Sequence, residues 1–247
     1  MKPRLAIASH KGGVGKTTTA ASLAAALGAR GFRVLAVDLD PQATLSDWLG
    51  LEPSPDLAEA LLSDGGAVEP KPTRFAGVSG IAGGVELFGP EHAMIRGELE
   101  PAALARVLDR LDDRADLVLL DTHPGQLGMI AAAIEAAGRL LVVTDASGPG
   151  LRGAEATADL AEDRGAELLG VVLCRYDART AWARDLLNAA RRVFGELFIE
   201  PPIRQAIRLV EAPSFQASPL EHARGEAVAN DIQAVASSIA NRLGLSL

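Results

Sequence analysis

The sequence predicts an α/β protein, a mostly parallel, twisted β-sheet with helices on both faces. Three observations predict it. Short apolar runs alternate along the chain with longer segments of helical periodicity. A glycine-rich loop stands directly between the first apolar run and the first helical segment. Of the 247 residues, 48% are apolar and 23% charged, the proportions of a folded globular chain, and only 4% are aromatic. The core is therefore built from Ala, Leu, Val and Ile. A single domain over residues 1–247 is expected, with no internal repeat and no long linker.

The elements follow in order. Arg4-Leu5-Ala6-Ile7-Ala8-Ser9 is the first strand. A helix runs from about Lys16 to Arg30, and Gly31 stops it. Phe32 to Asp38 is a buried strand, and a short helix starts near Ala43. Residues 52–90 are rich in Gly, Pro and Ser and are the least readable stretch. Pro101 to Leu111 has helical periodicity. Asp116 to Asp121 and Arg139 to Thr144 are short apolar strands. A helix covers about Gly153 to Arg164, a strand Leu168 to Leu173, and a helix about Thr180 to Phe194. The Ala-rich tail from Glu226 to Leu243 is helical. Ligands on such sheets sit beyond the carboxyl ends of the strands.

Composition excludes several classes. One cysteine, Cys174, excludes a disulfide framework and any four-cysteine metal site within the chain. Cys174 ends an apolar strand and reads as a packed small hydrophobe. The four histidines (10, 92, 123, 222) lack metal-ligand spacing. No apolar run approaches the roughly 18–20 residues of a membrane span, and the N-terminus lacks a signal-peptide core, so a cytoplasmic protein is expected. The net charge of −8 disfavours nucleic acid at first sight. Yet Val171 to Val210 holds seven arginines against four acids, a local charge of +3. Trp182 lies in that segment and reads as core, interface or nucleic-acid contact.

The decisive segment is His10-Lys11-Gly12-Gly13-Val14-Gly15-Lys16-Thr17-Thr18-Thr19. Glycines let the backbone curl so that successive N–H groups point at phosphate oxygens, and the helix adds its positive N-terminal end. Lys16 would reach the β- and γ-phosphates and the Thr17 hydroxyl would ligate Mg²⁺. The pattern G-x-x-x-x-G-K-[ST] is met in its second half, while His10 takes the place of its first glycine. Only four residues of the chain are lysine, and two of them, Lys11 and Lys16, flank this loop. A compact ammonium suits a tight phosphate cradle better than a planar guanidinium.

Lys11 to Thr18 resembles the deviant Walker A box of the ParA/MinD family of P-loop ATPases. Val37-Asp38-Leu39-Asp40-Pro41-Gln42 resembles the family's second box, and Leu119-Leu120-Asp121-Thr122-His123-Pro124 its Walker B strand end. Arg175 to Thr180 and Ile207 to Phe215 resemble segments of chromosome- and plasmid-partitioning ParA proteins in particular. The resemblance spans the chain except about residues 50–100.

The resemblance implies ATP and Mg²⁺ as ligands. It implies that Gly12, Gly13, Val14, Gly15, Lys16, Thr17 and Thr18 cradle the phosphates. Lys11 would cross a homodimer interface to the partner's nucleotide, where a second lysine offsets charge on the transferred group. Asp40 would orient the attacking water or contact Mg²⁺, and Asp121 would hold Mg²⁺ through a water. Asp38 is read as a charge satisfied within the switch-loop network. Arg175 and Arg204 are candidates for adenine contacts. Three positions depart from the family pattern. His123 replaces a small residue or proline, Ser147 stands where Glu is common, and Arg204-Gln205-Ala206 replaces a Pro-Arg-Asn.

The family divides by the surface it works on. The tail, Ile239 to Leu247, has one arginine and no long apolar stripe, so the membrane is disfavoured. The ParA branch implies sequence-independent binding of double-stranded DNA, hence nucleoid association, with Arg179 and Arg208 at the matching positions and Arg184, Arg191 and Arg192 beside them. A ParB-like activator would stimulate a slow hydrolysis. No separate N-terminal DNA-binding domain is expected, because the phosphate loop begins at residue 11. Positioning another cargo, such as a protein cluster, is the alternative, with MinD-like membrane patterning behind it. A reductase of the nitrogenase iron-protein type needs two cysteines per subunit, and a P-loop tyrosine kinase needs a terminal tyrosine cluster; the chain has one cysteine and one tyrosine.

Overall fold

The computed structural model describes residues 2–63 and 65–246. The strands among them are β1 (Arg4–Ala8), β2 (Val34–Leu39), β3 (Lys71–Pro72), β4 (Val78–Ile81), β5 (Leu117–Thr122), β6 (Arg139–Asp145), β7 (Glu167–Cys174) and β8 (Phe198–Ile199). They form one sheet in the order β3-β4-β2-β5-β1-β6-β7-β8, antiparallel only between β3 and β4. β1 lies between β5 and β6, with the strands from β2 to β5 on one side of it and β6 to β8 on the other. Its carboxyl end is therefore the switch point where a ligand crevice opens.

Alternation along the strands sorts the core into two layers. Leu5 and Ile7 of β1 point to one face, Ala6 and Ala8 to the other. The first face is covered by α1 (Lys16–Gly28), α2 (Thr44–Leu49), α9 (Ile207–Glu211), α10 (Pro219–His222) and α11 (Ala227–Arg242). The second is covered by α3 (Asp56–Leu62), α4 (Phe88–Ile95), α5 (Ala102–Asp109), α6 (Leu127–Ala137), α7 (Gly148–Asp163) and α8 (Ala181–Phe194). Both faces being buried explains why the strands read as continuous apolar runs. No helix among the described residues is long and apolar enough to cross a membrane.

Several boundaries differ from the sequence expectation. The helix placed at Gly153 starts at Gly148, because Ser147 accepts a hydrogen bond from Gly150 N (3.0 Å) and caps it. The second strand begins at Val34 rather than Phe32. Helix α6 was not foreseen. Its eleven residues, LGMIAAAIEAA, include only Glu135 as a polar residue, so no amphipathic period marks it; a helix apolar all round is one that packs inside. The unreadable stretch contains α3, β3, β4 and the start of α4. Trp182, on α8, is 65% exposed and is no part of the core.

Candidate nucleotide site

The phosphate loop leaves β1 at its carboxyl end and runs into α1. Gly13 (φ 73°) and Gly15 (φ 106°) take left-handed backbone that side chains resist, which is why glycine stands there. Val14 between them is fully buried and anchors the loop in the core. Lys11 N donates to Ser9 Oγ (3.2 Å) and His10 N to Thr157 Oγ1 (3.1 Å), so the loop's first half is tied to β1 and α7. Thr19 Oγ1 donates to Gly15 O (2.8 Å).

Two cavities meet at this loop. One, of about 320 Å³, is lined by Lys16, Thr17, Asp40, Gln42 and His123. The other, of about 330 Å³, lies beyond Thr18 and Thr19 and is lined by Cys174, Arg175, Ile203, Gln205 and Leu209. Gly13, Gly15 and Thr18 belong to both. A polar cleft and a more apolar one joined across a phosphate cradle match the two ends of a nucleotide. Arg175 adopts φ 55° and its guanidinium donates to Gly13 O (2.7 Å), bracing the cradle from the β7 side. Arg204 lines the second cavity, its guanidinium held by buried Asp231 at 2.5 and 2.8 Å.

The carboxylates converge from neighbouring strands. Asp38 of β2 and Asp121 of β5 are register partners, so both stand at the same level of the sheet. Asp38 accepts from Ser46 N (2.8 Å), Ser46 Oγ (2.7 Å) and Asp40 N (3.0 Å). Burial nevertheless pushes its carboxyl up to about 6, with the neighbouring charge of Asp40 adding to the effect. These three donors satisfy the Asp38 carboxylate within the chain. Asp121 is fully buried, and neither carboxylate oxygen has a hydrogen-bond partner among the described residues. Burial, then the charge of Asp38, raises it well above the usual carboxylate range, with Thr17 and Lys16 acting the other way. An unpartnered buried carboxylate beside a hydroxyl and a second acid is the donor set a hard divalent cation takes, so these residues fit Mg²⁺. Lys16 is 5% exposed; burial lowers its ammonium, and Asp121 and Asp40 counter that.

Lys11 points elsewhere. Its ammonium pairs with Asp145 Oδ2 (2.5 Å) at the end of β6 and donates to Ser147 Oγ (3.1 Å). Burial pushes the Asp145 carboxyl up, but hydrogen bonds from Lys11 and Ser147 outweigh it and hold it below its ordinary value. In this single chain the lysine that the resemblance sends to a partner's nucleotide is thus held in cis. The partner, Asp145, was not anticipated; an acid closing an apolar strand beside the phosphate loop was the signal in the sequence.

The arginine-rich segment frames a wide groove of about 1160 Å³ that adjoins the Arg175 cavity through Arg204 and Gln205. Arg179 pairs with Asp177 (2.8 Å), Arg191 with Glu200 (2.6 Å) and Arg208 with Glu226 (3.3 Å). Arg184 donates to Ala178 O (2.7 Å), and Arg192 has no partner among the described residues. Counting charge along the sequence therefore overstated how much free positive charge this face offers.

The comparisons with known proteins agree with the geometry. A family described as an AAA domain matches residues 3–163. The chromosome-partitioning ATPase Soj of Thermus thermophilus is 36% identical over 230 residues, covering 89% of this chain and 88% of that protein. The chain belongs to the ParA/Soj partitioning ATPases. The chromosome partitioning protein ParA of Caulobacter vibrioides is 32% identical over 85% of this chain and 84% of its own. The structure of MinD from Pyrococcus horikoshii in complex with Mg-ADP superposes with a TM-score of 0.81, at 25% identity, over 97% of this chain and 96% of that one. As a ParA-family ATPase the chain has its phosphate loop, second box and Walker B end gathered at one crevice.

Proposed function

We propose that this ParA-family ATPase binds MgATP at the phosphate loop, dimerises over it, and then binds DNA without sequence preference. Hydrolysis, slow alone and stimulated by a ParB-like partner, releases it. The work takes place in the cytoplasm, on the nucleoid. The observation that carries the nucleotide part is the pair of cavities joined across the Gly13–Gly15 cradle, with unpartnered Asp121 behind the polar one.

The residues divide the work. Backbone N–H groups of the loop and the N-terminus of α1 bind the phosphates. Lys16 neutralises the terminal oxygens, and Mg²⁺, when bound, adds Lewis-acid charge stabilisation. Thr17 and Asp121 are its proposed holders. Asp40 sits just past β2, 7% exposed, with Gln42 N donating to its Oδ1 (2.8 Å). That fixed orientation suits a carboxylate that aligns water for in-line attack or contacts the metal. Arg175 flanks the base end, and Arg204 stands beside it. Lys11 acts on the partner's nucleotide once it leaves Asp145.

A labelled DNA duplex of unrelated sequence tests the DNA step. Its fluorescence anisotropy should rise with protein and a slowly hydrolysed Mg-ATP analogue, stay flat with MgADP, and fall again as salt increases. A second reading, an ATPase that positions a protein cluster, draws on exposed Ile207, Val210 and Phe215 beside ion-paired Arg208. A flat signal with both nucleotides, each shown separately to bind, would favour that reading.

A further inference from the structure

The segment from Asp121 to Gln126 concentrates unpaired buried polar atoms. Both oxygens of Asp121, Nδ1 of His123, and Nε2 and Oε1 of Gln126 have no hydrogen-bond partner among the described residues. Buried polar groups are nearly always paired, so unpaired atoms in a loop beside the polar cleft limit how its side chains can place their donors. Asp121 is accounted for by a cation. His123 is not, and it is also a departure from the family's sequence pattern.

The ring of His123 has two unlike nitrogens. Nδ1 is sealed from solvent without a partner, while Nε2 is absent from the sealed atoms and the residue lines the polar cleft with Lys16, Thr17 and Asp40. Placing the single ring proton on Nδ1 would bury an unpaired donor. Placing it on Nε2 leaves the donor on the ring's unsealed side, in a residue that lines the cleft. The cleft shares Gly13, Gly15 and Thr18 with the Arg175 cavity but alone holds Lys16, Thr17 and Asp40, so on the proposed function it takes the terminal phosphates.

We propose that His123 is a ligand of the terminal phosphate, its Nε2–H donating to a γ-phosphate oxygen and so distinguishing a nucleoside triphosphate from a diphosphate. This rests on the reading of the phosphate loop as the ATP site. A charge-assisted hydrogen bond to a phosphate oxygen is worth enough to set the ATP/ADP preference about tenfold. Proline, glycine or alanine at this position supplies no side-chain donor.

The test compares affinities for MgADP and for a slowly hydrolysed Mg-ATP analogue, by calorimetry, in the native chain and in His123→Ala, His123→Gln and His123→Pro. Melting temperatures without nucleotide check that each variant is folded. In His123→Ala and His123→Pro the analogue affinity is expected to fall about tenfold while MgADP affinity stays within about twofold. His123→Gln, which keeps an N–H donor, should recover part of the loss. Diethylpyrocarbonate labelling of His123, read by mass spectrometry in the native chain, should be blocked by the analogue and not by MgADP. An unchanged analogue-to-ADP ratio in His123→Ala, an equal loss for both nucleotides, or labelling indifferent to the analogue would each overturn the proposal. A native chain that binds neither nucleotide would instead overturn the site reading on which it rests.

Discussion

Lys16 shows how much the site asks of one residue. Its ammonium is almost wholly buried, and burial lowers its proton affinity against the pull of Asp121 and Asp40. Phosphate oxygens would supply the hydrogen bonds that a buried ammonium lacks. Lys16→Ala should therefore cut MgADP affinity by roughly a hundredfold or more, as two to three charge-assisted hydrogen bonds would. Calorimetry that returned native affinity would refute the cradle assignment. Asp40→Ala should leave that affinity near native yet stop phosphate release, and unchanged turnover would remove Asp40 from the hydrolytic step. Cys174 behaves differently. Its thiol contacts Thr19 Oγ1 at 3.3 Å, is 4% exposed, and burial pushes it up to about 12. It should resist a thiol reagent such as Ellman's at pH 8 in the native protein and react within seconds to minutes once urea unfolds the chain. Fast labelling of the native protein would contradict the packing at the end of β7.

Helix α6 is held from outside its own sequence. Glu91 of α4 is 3% exposed and accepts from Gly128 N (3.2 Å) and Met129 N (2.6 Å), taking two of the N–H groups that a helix start leaves unpaired. Glu91→Ala should destabilise the fold by about 2–3 kcal/mol, read as a lower urea midpoint with unchanged slope, because it opens a gap and strands both donors. A second tie joins the starts of β2 and β5. Arg33 donates to Asp116 through its guanidinium (2.7 Å) and its backbone N–H (3.0 Å). These hydrogen bonds hold the Asp116 carboxyl down to about 2. A depressed carboxylate stabilises the fold above its unfolded value near 4 and loses that contribution as pH falls toward 2. The pair is solvent-exposed, so the amount is no more than about 1 kcal/mol. Asp116→Asn should thus lower the urea midpoint at pH 7 and lower it clearly less at pH 2.5, where about two thirds of the contribution is already lost, whereas an equal deficit at both would assign the effect to packing. Neither tie was legible in the sequence. Strands buried on both faces and the glycine loop announce themselves by local pattern. Glu91 and Asp116 act on partners 37 and 83 residues away, and nothing in their immediate neighbourhood marks them.

On the proposed function the whole molecule binds a polyanion while carrying a net charge of −8. Its predicted DNA arginines are mostly engaged already: Arg179 with Asp177, Arg191 with Glu200, Arg208 with Glu226. Each of these can contact phosphate only by sharing or leaving its carboxylate, so its net gain is small, whereas Arg192 has nothing to give up. Two consequences separate this account from a plain count of arginines. First, on the proposed function, an ATP-bound dimer joins two such faces, so duplex affinity is expected to rise steeply with dimerisation. Second, removing a competing carboxylate should help more than the sequence suggests. Asp177→Asn frees Arg179 and should tighten duplex binding several-fold in the presence of the ATP analogue, steepening the salt dependence by up to about 0.9 in log–log slope per added phosphate contact per subunit. Arg192→Glu should weaken binding and flatten the slope, and Arg208→Glu should weaken it too. Affinity for the ATP analogue should stay native in all three, since none of these side chains lines either cavity at the phosphate loop. If Asp177→Asn leaves both the affinity and the slope unchanged while Arg192→Glu also has no effect, this face does not meet DNA. The exposed Ile207, Val210 and Phe215 would then mark it as a protein-binding surface.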